Sequence, residues 1–387
     1  VPISLTLQGG YAGCTSASKD HTTIDGGSGG RVLNIGAGLD VTLEKLNVTN
    51  GNTGDAGGGI RFAAGASGTG DLTLTNVAIY GNSAAFGGGL WLGQDAHVGA
   101  AGVQLHSNSA TVYGGGVRLY GGRATFDSSL IHHSAAPRGG GVYATEQDGH
   151  SPELTLTSSS DVTYNDALTG EGLGGGVYMR EGTLSASDAS DLYSNEAVLG
   201  GGAYVVTSTL TIAGGDSEIN YNTSTDSGGG IYAQGSQINL DQDAQIEFNE
   251  AGTGGGAYLD NSSLYSDKAS INNNTAHGHG GGVYASNGSI LDMDLGTYVC
   301  LQTGCSKLTS NVADDGNGGG AYFFGSSGWL DNTLVENNQA GMGGGIYAYD
   351  SDIHVQATLL ARNHAVESVG GALRLYSDAT FVGNGTT

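Results

Sequence analysis

The chain has 387 residues, and 37 acidic side chains against 12 basic ones give a net charge of -25. This excess of negative charge argues against binding to nucleic acid or to anionic membrane surfaces. The 73 glycines lack the strict period of collagen, and a hydrophobic content of 38% argues against disorder. The sequence has no run of 18 apolar residues, so no transmembrane segment is expected.

Residues 1–56 are predicted to form irregular entry coils. Apolar residues alternate with polar ones in residues 3–7, 31–35 and 41–46, and clusters of glycine separate these runs. Alternation interrupted by glycine is typical of strands joined by tight turns. The glycine triplet that characterises the rest of the chain is absent from this part.

Residues 57–387 are built from a repeat. A run of glycines followed by an aliphatic residue and usually tyrosine, as in 139–143, returns mostly after 25–28 residues. A second motif precedes each run and consists of an aliphatic residue, two variable residues and asparagine. Its asparagines are Asn82, Asn108, Asn165, Asn195, Asn222, Asn249, Asn274, Asn311, Asn338 and Asn363. His133 is read as the equivalent residue after Leu130, and a final copy is read from Phe381 to Asn384.

A repeat of this length indicates a solenoid. Three strand-like pieces per repeat, too short to bury a core alone, are stabilised when each pairs in parallel with its equivalent one coil away. The sequence therefore predicts an all-β, single-stranded, right-handed parallel β-helix of about 14 coils, with three short strands per coil of 25–28 residues. Residues 57–387 are expected to continue the helix begun by the entry coils.

The two motifs are expected to have structural roles. Glycine triplets allow positive φ angles and close approach of stacked backbones. Asparagines stacked one coil apart can donate hydrogen bonds to, and accept them from, their neighbours. A catalytic role for either column is not expected.

Tyrosine is predicted to form an outward column. In 142–144, alternation points Val142 and Ala144 inward and Tyr143 outward. The corresponding residues are Trp91, Tyr143, Tyr178, Tyr204, Tyr232, Tyr258, Tyr284, Tyr322 and Tyr347. The expectation is an exposed aromatic stripe that contacts a glycan, a host protein or a second copy of the chain. Simple cross-strand packing that stiffens the coils is the alternative.

The two motifs resemble the repeats of polymorphic outer-membrane proteins, which are autotransporter passengers on bacterial surfaces, and of secreted right-handed β-helix proteins more broadly. The resemblance covers nearly the whole chain. It implies a secreted or cell-surface β-helix, a class that includes adhesins, structural surface proteins and carbohydrate-active enzymes. The preferred interpretation is a non-catalytic structural or adhesive protein that is secreted, on a bacterial cell surface or in an extracellular matrix. Assembly of the chain end to end into filaments is a further expectation.

The competing interpretation is a carbohydrate-active enzyme, either a polysaccharide lyase or a glycoside hydrolase. Such enzymes need clustered acids beside a base or a second carboxylate. The best candidates are Glu146, Asp148, His150, Glu171 and Arg180. These residues match no catalytic motif, so no catalytic site is predicted. No cofactor is expected to be required.

Metal ions are a weaker expectation. Acid pairs in turns could hold Ca²⁺; they are Asp241 with Asp243, Asp314 with Asp315, and Asp350 with Asp352. His132 with His133, and His277 with His279, could bind a metal, with a purely structural role as the alternative.

The cysteines bear on the cellular compartment. Cys300 and Cys305 lie in the longest repeat and could close a short disulfide loop, which would imply an oxidising environment. Two reduced thiols are the alternative. Cys14 is left without an assigned partner.

Overall fold

A computed structural model describes residues 3–11, 20–63, 70–214, 216–241, 243–293 and 305–384. The regular elements of these residues are β-strands. The chain divides into two compact units, residues 1–191 and residues 192–387, and each unit is a right-handed parallel β-solenoid. The predicted fold class is confirmed.

The first unit contains the strands β1 (Ile3–Gln8), β2 (Thr22–Asp25), β3 (Leu33–Ile35), β4 (Leu39–Glu44), β5 (Leu46–Thr49), β6 (Ile60–Phe62), β7 (Asp71–Thr75), β8 (Ala78–Tyr80), β9 (Ser83–Phe86), β10 (Leu90–Leu92), β11 (His97–Ala101), β12 (Gln104–His106), β13 (Ser109–Tyr113), β14 (Val117–Tyr120), β15 (Arg123–Asp127), β16 (Leu130–His132), β17 (Val142–Thr145), β18 (Glu153–Thr157), β19 (Asp161–Thr163), β20 (Asp166–Ala167), β21 (Val177–Arg180) and β22 (Thr183–Ser187).

The second unit contains the strands β23 (Leu192–Tyr193), β24 (Glu196–Leu199), β25 (Ala203–Val206), β26 (Thr209–Ala213), β27 (Glu218–Asn220), β28 (Thr223–Ser227), β29 (Ile231–Gln234), β30 (Gln237–Asp241), β31 (Gln245–Glu247), β32 (Glu250–Ala251), β33 (Ala257–Asp260), β34 (Ser263–Asp267), β35 (Ser270–Asn272), β36 (Thr275–Ala276), β37 (Val283–Ser286), β38 (Ile290–Asp292), β39 (Ser306–Thr309), β40 (Val312–Ala313), β41 (Ala321–Phe324), β42 (Ser327–Asp331), β43 (Thr333–Glu336), β44 (Gln339–Met342), β45 (Ile346–Tyr349), β46 (Asp352–Gln356), β47 (Leu359–Ala361), β48 (His364–Val369), β49 (Leu373–Tyr376) and β50 (Thr380–Asn384).

Equivalent strands of successive coils pair in parallel to form three principal sheets. The tyrosine sheet, which follows the glycine triplets, has the order β3-β6-β10-β14-β17-β21 in the first unit and β25-β29-β33-β37-β41-β45-β49 in the second. The long-strand sheet has the orders β1-β4-β7-β11-β15-β18-β22 and β26-β30-β34-β38-β42-β46-β50. The asparagine sheet, which precedes the asparagines, has the orders β2-β5-β8-β12-β16-β19 and β23-β27-β31-β35-β39-β43-β47.

Many coils add a fourth strand that was not predicted. It lies between the asparagine and the next glycine triplet, and it pairs β9 with β13 in the first unit and β24-β28-β32-β36-β40-β44-β48 in the second. Several of these strands are only two residues long, such as β32 and β36. A segment of two residues is too short to show an alternating pattern in the sequence.

The core lies between the three sheets and is built by alternation along each strand. Val142 and Ala144 are fully buried, as predicted. Leu154, Leu156 and Val162 complete the same coil from the other two sheets and are also fully buried. Each coil thus contributes a thin layer of aliphatic side chains, and burial is shared with the coils above and below.

Each change of sheet occurs at a residue with a positive φ angle. The residue before each ladder asparagine, or before Ser134 in the same column, has φ between +48° and +63°; these residues are Gly81, Ser107, His133, Tyr164, Ser194, Tyr221, Phe248, Asn273, Ser310, Asn337 and Arg362. Left-handed backbone is uncommon for bulky residues such as Tyr221 and Phe248, so packing of the surrounding coils must enforce it.

The glycine triplet has the two predicted roles, divided between its members. Gly139 has φ of +63° and forms the corner. A Cβ on Gly140 would lie 2.5 Å from the carbonyl oxygen of Asp166, and one on Gly141 would lie 2.7 Å from that of Gly176. The first glycine therefore supplies the turn, whereas the second and third allow stacked backbones to approach each other.

Two assignments of the asparagine motif are corrected by strand register. Ile131 pairs with Leu105 and Val162, so the place of the asparagine is taken by Ser134 and not by His133. Phe381 pairs with Ile353 in the long-strand sheet, so Phe381–Asn384 is not a copy of the motif. In both cases an apolar residue followed three positions later by histidine or asparagine matches the motif in sequence but not in strand register.

Candidate functional site

The predicted asparagine ladder is present and buried. Asn222 Nδ2 donates to the Oδ1 of Asn249 (3.0 Å) and to the carbonyl oxygen of Leu192 (2.8 Å), and its backbone N–H donates to the same Oδ1 (2.9 Å). The side-chain bond recurs from Asn195 to Asn363 in the second unit. Because each amide satisfies groups that water cannot reach, the ladder is structural.

Serine forms further buried ladders that sequence analysis missed. In the first unit the backbone N–H of Ser129 donates to Ser160 Oγ, and that of Ser160 donates to Ser190 Oγ, both at 3.0 Å. In the second unit a serine ladder occupies a different corner, between the tyrosine and long-strand sheets. It contains Ser208, Ser236, Ser262 and Ser289, with N–H to Oγ distances of 3.0–3.1 Å.

The tyrosine ladder of the second unit is a column of parallel rings. Adjacent ring centroids are 4.8–5.1 Å apart, and adjacent rings are within 10° of parallel. Its members are Tyr204, Tyr232, Tyr258, Tyr284, Tyr322 and Tyr347. This spacing matches the separation of paired strands, about 4.8 Å, so each ring contacts the next face to face.

The expectation that this column is an exposed stripe is wrong for most of it. Tyr204, Tyr322 and Tyr347 are buried, with 6–9% of their surface exposed, and only the middle of the ladder, Tyr232 to Tyr284, is half-buried. Stacking uses both faces of each inner ring, which leaves mainly ring edges for contact. Burial, reinforced by the neighbouring phenols, raises the pKa of Tyr322 to about 12 and also raises that of Tyr232.

In the first unit the same column mixes cationic and aromatic side chains. The guanidinium of Arg61 lies 4.9 Å from the ring centroid of Trp91. Arg118 lies 4.6 Å from that of Phe86, and burial lowers the pKa of Arg118. The remaining members are aromatic: Tyr143 stacks at 4.5 Å on Tyr113 and at 4.8 Å on Tyr178, and Tyr143 and Tyr178 are buried.

Three of the candidate catalytic residues occupy one turn, 146–150, and the backbone N–H of Glu146 donates to the carbonyl oxygen of Arg180 at 3.3 Å. Glu146 accepts a hydrogen bond from the backbone of Gly149 in its own turn, and Asp148 has φ of +50° in that turn. The other candidates pair with residues outside the set: His150 Nδ1 with Asp95 Oδ1 at 2.8 Å, Arg180 Nε with Glu181 Oε1 at 3.3 Å, and Glu171 with Arg138 at 2.5 Å.

The candidate Ca²⁺ residues lie at separate corners. Asp241 is the register partner of Asp267, and burial followed by repulsion from Asp267 raises its pKa. Asp243 occupies a corner with φ of +68°. Asp314 and Asp315 both contact His277: Asp314 Oδ2 lies 3.5 Å from His277 Nδ1, and the Asp315 N–H donates to the His277 carbonyl oxygen at 3.1 Å. Asp350 Oδ1 accepts the backbone N–H of Asp378 at 3.1 Å. Asp352 Oδ1 accepts the hydroxyl of Thr380 at 2.5 Å.

The histidines of the two predicted metal pairs make different contacts. His277 Nε2 is 2.9 Å from Glu250, and His279 Nδ1 accepts the backbone N–H of Asn317 at 3.0 Å. His132 and His133 face each other directly. Within the described ranges no group of three or more histidine, cysteine, aspartate or glutamate side chains is arranged to hold a metal ion. The predicted disulfide involves Cys300, which lies outside the described residues, as does Cys14.

An acidic and aromatic patch on the asparagine sheet of the second unit was not predicted. Asn220 pairs in register with Glu247, and its Nδ2 donates to Glu218. Burial raises the pKa of both carboxyl groups, and Glu218 raises that of Glu247 further. Tyr221 and Phe248 follow at the corner, stacked 5.0 Å apart with 49% and 42% of their surface exposed.

Open hollows lie on the surface of the first unit. One of about 380 Å³ is lined by His21, Lys45 and Asn76 with neighbouring backbone. Another of about 300 Å³ lies over Gly99, where a Cβ would meet nothing within 4 Å, between His97 and Arg123.

Comparison with known proteins adds no relative: neither a protein-family model, nor a curated protein, nor a solved structure matches this chain. In the described part of the chain, helices long and apolar enough to cross a membrane are absent.

Proposed function

We propose that this chain is a non-catalytic extracellular protein with a structural or adhesive function. The observation that carries the proposal is the set of buried ladders, in which coil after coil repeats the same amide, hydroxyl and ring contacts. Such repetition gives a scaffold in which each coil is stabilised by the coils above and below it. The resemblance to the repeats of polymorphic outer-membrane proteins supports a bacterial surface or matrix location.

The proposed contact surface is the half-buried middle of the tyrosine ladder. Tyr232, Tyr258 and Tyr284 present ring edges, and Asp260 lies near enough to Tyr232 to contribute to its raised pKa. Edges that carry a hydroxyl group suit hydrogen bonding to a protein or to a second copy of the chain better than stacking against a sugar ring.

Immunogold electron microscopy of the producing cells tests the location, and label on the cell surface or matrix is expected. Sedimentation velocity over a concentration series tests self-association. Replacing the three tyrosines with phenylalanine preserves stacking and removes the hydroxyl edge, so weaker association with an unchanged unfolding midpoint is expected. Label confined to the cytoplasm would contradict the proposed location.

A second candidate, a glycoside hydrolase, is favoured by the patch at Glu218 and Glu247. Glu218 and Glu247 lie on paired strands beside exposed aromatic rings, and the raised pKa of each carboxyl group favours the proton donor that a glycosidase requires. The check is release of reducing ends from a panel of neutral and acidic polysaccharides. Activity that is lost in Glu247→Gln but retained in Asp241→Asn would support this candidate.

A further inference from the structure

A column of flat side chains runs along the outward face of the asparagine sheet in the first unit. Tyr80, His106 and His132 are register partners in β8, β12 and β16. The rings of Tyr80 and His106 are stacked at 4.9 Å, and those of His106 and His132 at 5.0 Å. The column brings two imidazoles to the end of β16, where a third follows directly in the chain.

His133 occupies the corner after β16 with φ of +48°. The left-handed backbone directs its ring back toward His132, and the two rings meet edge to face at an interplanar angle of 79°. His133 also stacks on Tyr164 at 5.2 Å. Equivalent corners are formed by residues such as Gly81 and Ser107, so the turn itself does not require histidine.

The Nδ1 atoms of His132 and His133 are 2.7 Å apart. Two neutral imidazoles can share this geometry when one Nδ1 carries a proton and donates it to the other. A metal ion held by both Nδ1 atoms would replace this hydrogen bond, with the shared proton moved to an Nε2 atom, and would occupy the position between the two rings. His133 is exposed and His132 is half-buried, so that position is open to solvent.

We propose that His132 and His133 form a chelating site for a tetragonal divalent metal ion, Cu²⁺ or Ni²⁺. With imidazole–metal bonds of about 2.0–2.1 Å, nitrogens 2.7 Å apart subtend an angle of about 80–85° at the metal. This angle is close to the right angle between adjacent ligands of a square-planar or octahedral centre, and it is far from the tetrahedral angle that Zn²⁺ prefers.

The site offers two protein ligands, because in the described residues no third histidine, cysteine or carboxylate completes a metal group. Water or buffer ligands fill the other positions, so binding is reversible by chelators. Thr163 is the register partner of His132, and its Oγ1 is buried without a hydrogen-bond partner among the described residues. It is a candidate for a third, oxygen ligand.

The test is titration of the full chain with CuCl₂, NiCl₂ and ZnSO₄ by calorimetry, with electron paramagnetic resonance of the Cu²⁺ form. One strong Cu²⁺ site with hyperfine coupling to two imidazole nitrogens is expected. His133→Asn keeps a residue suited to the left-handed corner and should weaken Cu²⁺ binding by at least about tenfold. His277→Asn, which alters a histidine paired with Glu250, should leave that site unchanged.

Equal Cu²⁺ affinity in His133→Asn and the unaltered chain would overturn the proposal, as would loss of the site in His277→Asn. Binding of Zn²⁺ more tightly than Ni²⁺ would overturn the assigned geometry. Circular dichroism of His133→Asn, matching that of the unaltered chain, shows that a loss of metal binding is not a loss of folding.

Discussion

The two units bury the same polar groups in different ways. In the second unit the asparagine ladder runs without interruption from Asn195 to Asn363, and a serine ladder supports the corner before the long-strand sheet. In the first unit Ser134 interrupts the asparagines, and the serine ladder supports the corner after the long-strand sheet. Each unit therefore lines some of its corners with small buried hydrogen-bonding groups, and the choice of corner differs between the units.

The outward column of the tyrosine sheet shows the same freedom. In the second unit it is a run of six tyrosines that ends beside Arg374, whereas in the first unit Arg61, Trp91 and Arg118 precede Tyr143 and Tyr178. Tyrosine, tryptophan and arginine share a flat group that stacks at the spacing of paired strands. This position therefore takes side chains with a flat group, whereas their charge and polarity differ between the units.

The largest expected effect is at the uninterrupted ladder. Asn274→Ala removes the acceptor of the Asn249 N–H and Nδ2 and the donor to the Ile246 carbonyl. With several buried groups left unpaired, a loss of about 3–4 kcal/mol in the free energy of unfolding is expected. Urea unfolding and hydrogen exchange of the second unit measure it.

Asn272→Ala, at the end of β35, two residues before Asn274 and directed outward, is the matched control for Asn274→Ala. It should change the unfolding free energy by less than about 1 kcal/mol. Equal effects at the two positions would show that the ladder does not hold the coils together.

A smaller loss is expected when the ring column is broken. Tyr258 stacks on Tyr232 at 4.9 Å and on Tyr284 at 4.8 Å. Tyr258→Ser should destabilise the second unit by about 2–3 kcal/mol, since each ring pair contributes about 0.5–1.5 kcal/mol beyond burial. Tyr265→Ser, at an outward tyrosine of the long-strand sheet, should have less than half this effect on the urea midpoint.

The sequence predicts the period, the glycine turns and the asparagine ladder because each rests on a residue type that recurs at one position. It does not predict the burial of Tyr204 or Tyr347, since alternation gives the side of the sheet and not what covers that side. It misplaces the motif at Leu130, where Ile131 offers an equally apolar neighbour. Ser160 and Ser190 recur at one position of the repeat, as members of a ladder should. Serine is also common in exposed turns, so this recurrence alone does not predict a buried ladder.

A gain in stability is expected where the first unit departs from the second. The Asn108 N–H lies 3.4 Å from Ser134 Oγ, a long contact, and the serine is too short to repeat the amide bond. Ser134→Asn should join Asn108 to Asn165 and raise the unfolding free energy by about 1 kcal/mol. Thermal and urea unfolding measure the change, and a loss of stability would mean that the corner at His133 cannot accommodate the longer side chain.

The buried phenols of the second unit are expected to make the free energy of unfolding depend on pH. The effect is smallest near neutral pH and becomes large in alkali. An unperturbed tyrosine has a pKa of about 10, whereas burial and neighbouring phenols raise the pKa of Tyr322 to about 12 in the folded chain. The unfolded state therefore loses its proton first as the pH rises. Stability is unaffected below pH 10 and falls between about pH 10 and pH 12.

In the first unit the raised pKa of Tyr143 is opposed by the charges of Arg118 and Arg138, so the comparison predicts a weaker alkaline response there. Absorbance of the phenolate band, followed with hydrogen exchange of each unit, measures both quantities. Tyr322→Phe should reduce the loss of stability in the second unit between pH 10 and 12. Tyrosines that all titrate near pH 10 in a folded chain would show that the rings are more accessible than their stacking indicates.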